Sequence, residues 1–194
     1  MITHINGKLI EKTPTYVVVD VNGIGYKIKI SLQTFSAINS EACKLFTHLS
    51  VKEDSHTLYG FYIESERHLF RNLISVSGVG PSTAQLILST YSTQEIIHHI
   101  TTADVKAIQS VKGIGGKTAQ RIIIDLKDKV AKGMPTSDLL FDKIDNTIKS
   151  EALSALLALG FAKKGAESKI DKVLKNNPDI SSVEELVKTA LSQM

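Results

Sequence analysis

"VSGVGPSTAQLIL", from Val76 to Leu88, and "VKGIGGKTAQRII", from Val111 to Ile123, are one pattern written twice. Gly78 aligns with Gly113, Gly80 with Gly115 and Thr83 with Thr118, at a constant offset of 35 residues. One copy would be an ordinary helix-ending turn. Two in register call for a repeated structural unit. "GIGGKT" is not a phosphate-binding loop of the GxxxxGK[ST] type, because Val111 occupies the first glycine position and the preceding residues read as helix. It is not a GxGxxG dinucleotide fingerprint either, since Thr83 and Thr118 stand at the third glycine. Helix–turn–helix remains, with the turn itself as a binding surface. The first glycine admits φ > 0, and the second carries no Cβ to obstruct a ligand. Val79 or Ile114 between them anchors the loop. The next helix then presents free N–H groups and its positive dipole end to an anion. Such a grip holds a phosphate whatever the base, and Lys117 and Arg121 follow the second turn.

Outward from these turns the chain divides by charge. Residues 1–64 hold six basic and six acidic side chains, residues 65–133 nine and five, and residues 134–194 eight and nine. The positive excess lies with the twin turns, where a polyanion would be attracted. No apolar run reaches the ~18 residues of a membrane span. The opening residues "MITHINGKLIEK" show no basic-then-apolar pattern that would suggest export, and the lone Cys43 suits a reducing cytoplasm.

The first 63 residues read as β. "TYVVVDV" (Thr15–Val21), the hairpin signal Asn22-Gly23 and the alternating "GYKIKIS" (Gly25–Ser31) form one pair. "KLFTHLSV" and "HTLYGFY" form another around Lys52-Glu53-Asp54-Ser55. Four or five strands without intervening helices predict a small barrel of OB type. Residues 64–133 read as α, with the capping box Ser92-x-x-Glu95. Residues 134–147 read as a linker. Residues 148–194 form a small three-helix bundle, broken at Gly160 and Asn176-Asn177-Pro178 and capped at Ser182. The fold class is thus multidomain, β then α.

Both turn copies resemble the helix–hairpin–helix motif of sequence-independent DNA-binding proteins. Together with "GIGYKIKI", "VKEDSHTLYGF" and the terminal "ALLALGF", they resemble the RuvA family over essentially the whole chain. These are DNA-binding subunits of the bacterial Holliday junction branch migration complex. The resemblance implies an OB-fold domain, a tandem helix–hairpin–helix domain and a small C-terminal domain. It implies a homotetramer, or a stacked octamer, that holds a four-way junction open. The DNA-binding set would be Gly78, Val79, Gly80, Ser82, Thr83, Lys112, Gly113, Ile114, Gly115, Gly116, Lys117, Thr118 and Arg121. Glu53 and Asp54, otherwise a solvated turn, would form an acidic pin at the tetramer centre that repels phosphates. Leu156, Leu159 and Phe161 would dock the hexameric motor ATPase RuvB, and the junction resolvase RuvC would join the wider complex. No metal, cofactor or catalytic residue is implied.

Two departures from the family pattern matter. Ser82 stands where a Lys is common, and Gly116 where a second Lys is frequent. Each lost contact would flatten the log–log salt dependence by about 0.9; Lys112, Lys127 or Lys29 could compensate. Two other readings stay open. A DNA-processing enzyme would need a catalytic acid near a hairpin, for which Asp125 is the candidate. A generic single-strand binder would need stacking aromatics on a basic face.

Overall fold

The computed structural model describes residues 1–131, 144–177, 180 and 182–192. The chain forms two compact units, one up to Thr136 and one from Ser137. The first opens with strands β1 (His4–Lys12), β2 (Tyr16–Val21) and β3 (Ile24–Ile30). Helix α1 (Leu32–Ala37) and strands β4 (Ala42–Val51) and β5 (His56–Phe61) follow. The strands close into a barrel in the order β1-β2-β3-β5-β4. All pairs are antiparallel except β3 with β5, where Ile28 pairs with Leu58 in parallel. The barrel of OB type is therefore present, with one correction: α1 interrupts the expected strand series. Ser31 caps it by accepting from the Thr34 N–H at 3.1 Å. Six residues are too few to print a helical period on the sequence, so the cap and the surrounding packing decide it.

Local chemistry sets the register. Asn22 (φ 53°) and Gly23 (φ 88°) are both left-handed, as a two-residue type I′ hairpin requires, and Val21 pairs with Ile24. Alternation then sends Val17, Val19, Ile28, Ile30 and Leu45 into the barrel. Lys27 and Lys29 of β3 stay exposed.

The helical part of this unit runs through α2 (Glu64–Ile74), α3 (Pro81–Thr90), α4 (Thr93–Thr101), α5 (Val105–Gln109) and α6 (Gly116–Ala131). The capping box at α4 forms in both directions between Ser92 and Glu95. Asp104 caps α5 by accepting from the Ala107 N–H at 3.1 Å. One apolar core joins Leu69, Phe70, Leu88, Ile96, Ile108 and Leu126 to Tyr59 and Phe61 of β5. Phe70 is the centre of that join, with ring centroids 5.1 Å from Tyr59 and 4.9 Å from Phe61. Burying an aromatic ring of this kind contributes about 2–3 kcal/mol.

A buried carboxylate fastens α2 to α1. Glu66, 1% exposed, accepts from the hydroxyls of Ser31 and of Thr34, the latter at 2.8 Å. Thr34 Oγ1 in turn accepts from the Tyr62 N–H at 3.0 Å. Burial pushes the Glu66 carboxyl above its usual range, against the pull of the two hydroxyls.

The second unit holds α7 (Ile144–Ala158), α8 (Lys163–Asn176) and α9 (Val183–Ser192). They pack around Ala152, Leu156, Ile170, Val173 and Leu186. Most of the linker expected at 134–147 lies outside the described residues. Its last four residues, 144–147, are instead the first turn of α7. The i, i+4, i+8 series Ile148-Ala152-Leu156 extends backward with neither Gly nor Pro to stop it. Gly160 (φ 93°) ends α7 in a Schellman turn, its N–H donating to Leu157 O and that of Phe161 to Leu156 O. No helix among the described residues is long and apolar enough to cross a membrane.

Candidate nucleic-acid interface

The two turns are built alike. Gly78 has φ 91° and Gly113 φ 87°, so each chain reversal uses a left-handed residue. Val79 and Ile114 are buried at 5% and 6% exposure and hold the turns to the core. Their own N–H groups are occupied, donating to Val76 O at 3.0 Å and to Val111 O at 3.1 Å. These two residues therefore anchor the turn, with both their side chains and their N–H groups engaged by the protein itself. The first intrahelical bonds run from the Ala84 N–H to Gly80 O and from the Ala119 N–H to Gly115 O, both 2.9 Å. Upstream of them, the N–H groups of Ser82 and Thr83, and of Gly116, Lys117 and Thr118, have no intrahelical acceptor. No side chain caps α3. A Cβ added at Gly80 or Gly115 would meet no protein atom within 4 Å. That open space above unspent donors at a positive dipole end has the chemistry to accept an anion.

The turns stand next to each other. A Cβ on Gly78 would come 4.0 Å from Thr118 Oγ1, at the start of the other hairpin's helix. Arg121 Nη1 donates to Ser77 O at 3.5 Å, tying α6 to the first turn. Lys112, Lys117 and Arg121 are exposed. The second hairpin is thus strongly basic and the first is not. Ser82 is exposed and contributes no charge. Asp125 is exposed on α6.

Glu53 and Asp54 form the exposed tip between β4 and β5, closed by the Lys52 N–H donating to Ser55 O at 2.9 Å. In the second unit the three apolar candidates separate. Leu156 is fully buried, so it belongs to the core and cannot be part of an exposed docking face. Leu159 (61% exposed) and Phe161 (37%) remain at the surface, joined by Leu157 (39%). The run Leu153-Ser-Ala-Leu156-Leu157-Ala-Leu159 has apolar residues on too many sides for spacing alone to say which face inward.

Three family models match the chain. "RuvA N terminal domain" covers residues 1–60, "SAM-like Helix-hairpin-helix tandem" residues 70–128, and "RuvA, C-terminal domain" residues 147–194. Relatives named Holliday junction branch migration complex subunit RuvA align end to end. The protein of Christiangramia forsetii is 56% identical over 195 residues, covering 100% of both chains. That of Flavobacterium psychrophilum is 50% identical over 195 residues, again 100% of both. That of Bacteroides fragilis (strain YCH46) is 41% identical over 202 residues, with the same full coverage.

Proposed function

The chain belongs to the RuvA family, and we propose that it is a non-catalytic DNA-binding subunit that holds four-way junctions open for branch migration in recombination and repair. The observation that carries this reading is the pair of matched turns, Gly78 and Gly113 both left-handed, each opening a helix whose first donors are unspent. Phosphate oxygens satisfy such donors without reading bases, which suits a ligand recognised by its shape. A homotetramer, with one protomer for each arm, would repeat the symmetry of the junction. The working compartment is the cytoplasm.

In this reading Glu53 and Asp54 face phosphates that cross the centre and disfavour unbranched duplex there, because like charges brought together are repelled. The test is a gel-shift titration of the full chain on a four-way junction, a linear duplex and a single strand, at two salt concentrations. A strong preference for the junction is expected; equal affinity for all three would overturn the reading. Glu53→Ala with Asp54→Ala should raise duplex affinity and lower discrimination about tenfold, or ~1.4 kcal/mol.

The exposed pair Leu159 and Phe161 is the docking point for the RuvB motor, with RuvC completing the wider assembly. Neither side chain is needed by the core around Leu156. Leu159→Glu with Phe161→Glu should therefore leave folding intact. It should cost roughly 2 kcal/mol or more in motor affinity, as loss of central apolar anchors does. A pull-down with purified RuvB and a parallel junction gel shift would separate the two effects.

A further inference from the structure

The hairpins agree in backbone and disagree in charge. Where the second carries Lys112, Lys117 and Arg121, the same repeat positions of the first carry Ser77, Ser82 and Leu86. A grip made of backbone donors alone keeps the dipole but supplies no counter-charge. That charge stands close by, on another element. Helix α3 leans on the barrel and leaves a cleft of about 530 Å³, lined from the helix by Ser82 and Leu86 and from the barrel by Tyr16, Lys27 and Lys29. The walls are fixed to each other. Leu32 N–H donates to Ser89 Oγ at 3.2 Å, Gln33 Nε2 donates to Leu88 O at 2.9 Å, and the Gln85 amide donates to Ile30 O.

Alternation along β3 buries Ile28 and Ile30 and points Lys27 and Lys29 together to the outside. Lys27 Nζ lies 4.1 Å from the centroid of the Tyr16 ring, and Lys29 Nζ 5.9 Å from that of Tyr59. Glu11, on the adjoining strand β1, is engaged by the Tyr16 hydroxyl at 2.7 Å. Among the described residues neither lysine has a carboxylate within ion-pairing distance. Two unneutralised cations held on one face beside a seat for an anion lower their mutual repulsion when a polyanion arrives.

We propose that Lys27 and Lys29 bind the phosphate backbone of the strand gripped by the first hairpin, so that the barrel provides the charge its helix lacks. The inference rests on the DNA-binding reading above and goes beyond it by assigning a second, barrel-borne contact to one hairpin. It is tested with a fluorescent four-way junction and the full chain, with affinity measured across a salt series. Lys27→Gln with Lys29→Gln should lower the log–log salt slope by about 1.8, two contacts at ~0.9 each, and weaken binding at least tenfold at low salt. Ser82→Lys added to that variant should restore about half of the lost slope. Lys172→Gln with Lys175→Gln, an equal loss of charge on α8, should leave the slope unchanged. Lys117→Gln with Arg121→Gln tests the hairpin reading separately. If this last variant loses slope and the β3 variant does not, the proposal is overturned and the hairpins stand. If neither loses slope, the hairpin reading falls and the proposal with it. A fall of the same size in the α8 variant would mean bulk charge only, and would also overturn it.

Discussion

Gly80→Ala combined with Gly115→Ala will weaken junction binding on the order of a hundredfold while moving the melting temperature by about 2 °C or less. The two halves of this expectation have separate causes. Neither new Cβ meets a protein atom within 4 Å, and Gly80 lies at φ −85° and ψ 168°, where alanine is at ease. Alanine is a poorer N-cap than glycine by roughly 0.5–1 kcal/mol, and its stiffer unfolded chain returns a similar amount. A methyl group over each anion seat, however, keeps a phosphate from the donors beneath it. A hydrogen bond to a charged group is worth about 1.5–3 kcal/mol, so losing one at each hairpin gives the hundredfold estimate. Gly113→Val behaves differently. Its φ of 87° is a left-handed conformation that costs a side chain about 1–2 kcal/mol, so stability and binding fall together. Calorimetry beside the gel shift distinguishes a blocked seat from a broken turn. Unchanged binding by the double alanine variant would show that phosphates do not approach these glycines.

Glu66→Ala carries the largest expected loss of stability, about 3 kcal/mol, or roughly 10 °C in the melting of the first unit. The substitution strands the hydroxyls of Ser31 and Thr34 in a buried site and frees the start of α2 from α1. Glu66→Gln should be much milder, because it resembles the protonated acid. The pH dependence follows from the upward shift of the buried carboxyl. The folded state holds this proton more tightly than the unfolded chain does. The group's contribution is therefore complete below the ordinary glutamate value of 4.5 and is lost as pH rises through the higher folded value. Urea denaturation of the native chain and of Glu66→Gln across this range should diverge with rising pH, the native chain losing ground. Parallel curves would mean that the carboxyl is not held above its usual range.

What the sequence made legible was written in short-range chemistry. Asn22-Gly23, Ser92 with Glu95, Gly160 and the twin glycines each dictate a turn or cap from residues within a few positions, and each is found in place. What escaped depended on neighbours distant in sequence. Helix α1 depends on Ser31 and on the barrel it packs against. Whether Leu156 or Leu157 faced inward was decided by α8 and α9, since both lie on the same apolar helix. The lysines of β3 were visible as an exposed alternating face, but their place beside Ser82 exists only once α3 is laid against the barrel. Even so, the missing charge at Ser82 could be read from the repeat, and it says where to look.

Tyr59 and Phe61 belong to the barrel's last strand and to the interior of the helices at once. That sharing makes the two layers one cooperative body. Strand β5 reaches β3 only after α1 and β4 have intervened, pairing Leu58 with Ile28 over a long sequence separation. Phe70 then settles on the aromatic surface that this closure presents. A loss of packing at Tyr59 or Phe61 would therefore be felt in the helices that carry the twin turns as well as in the barrel.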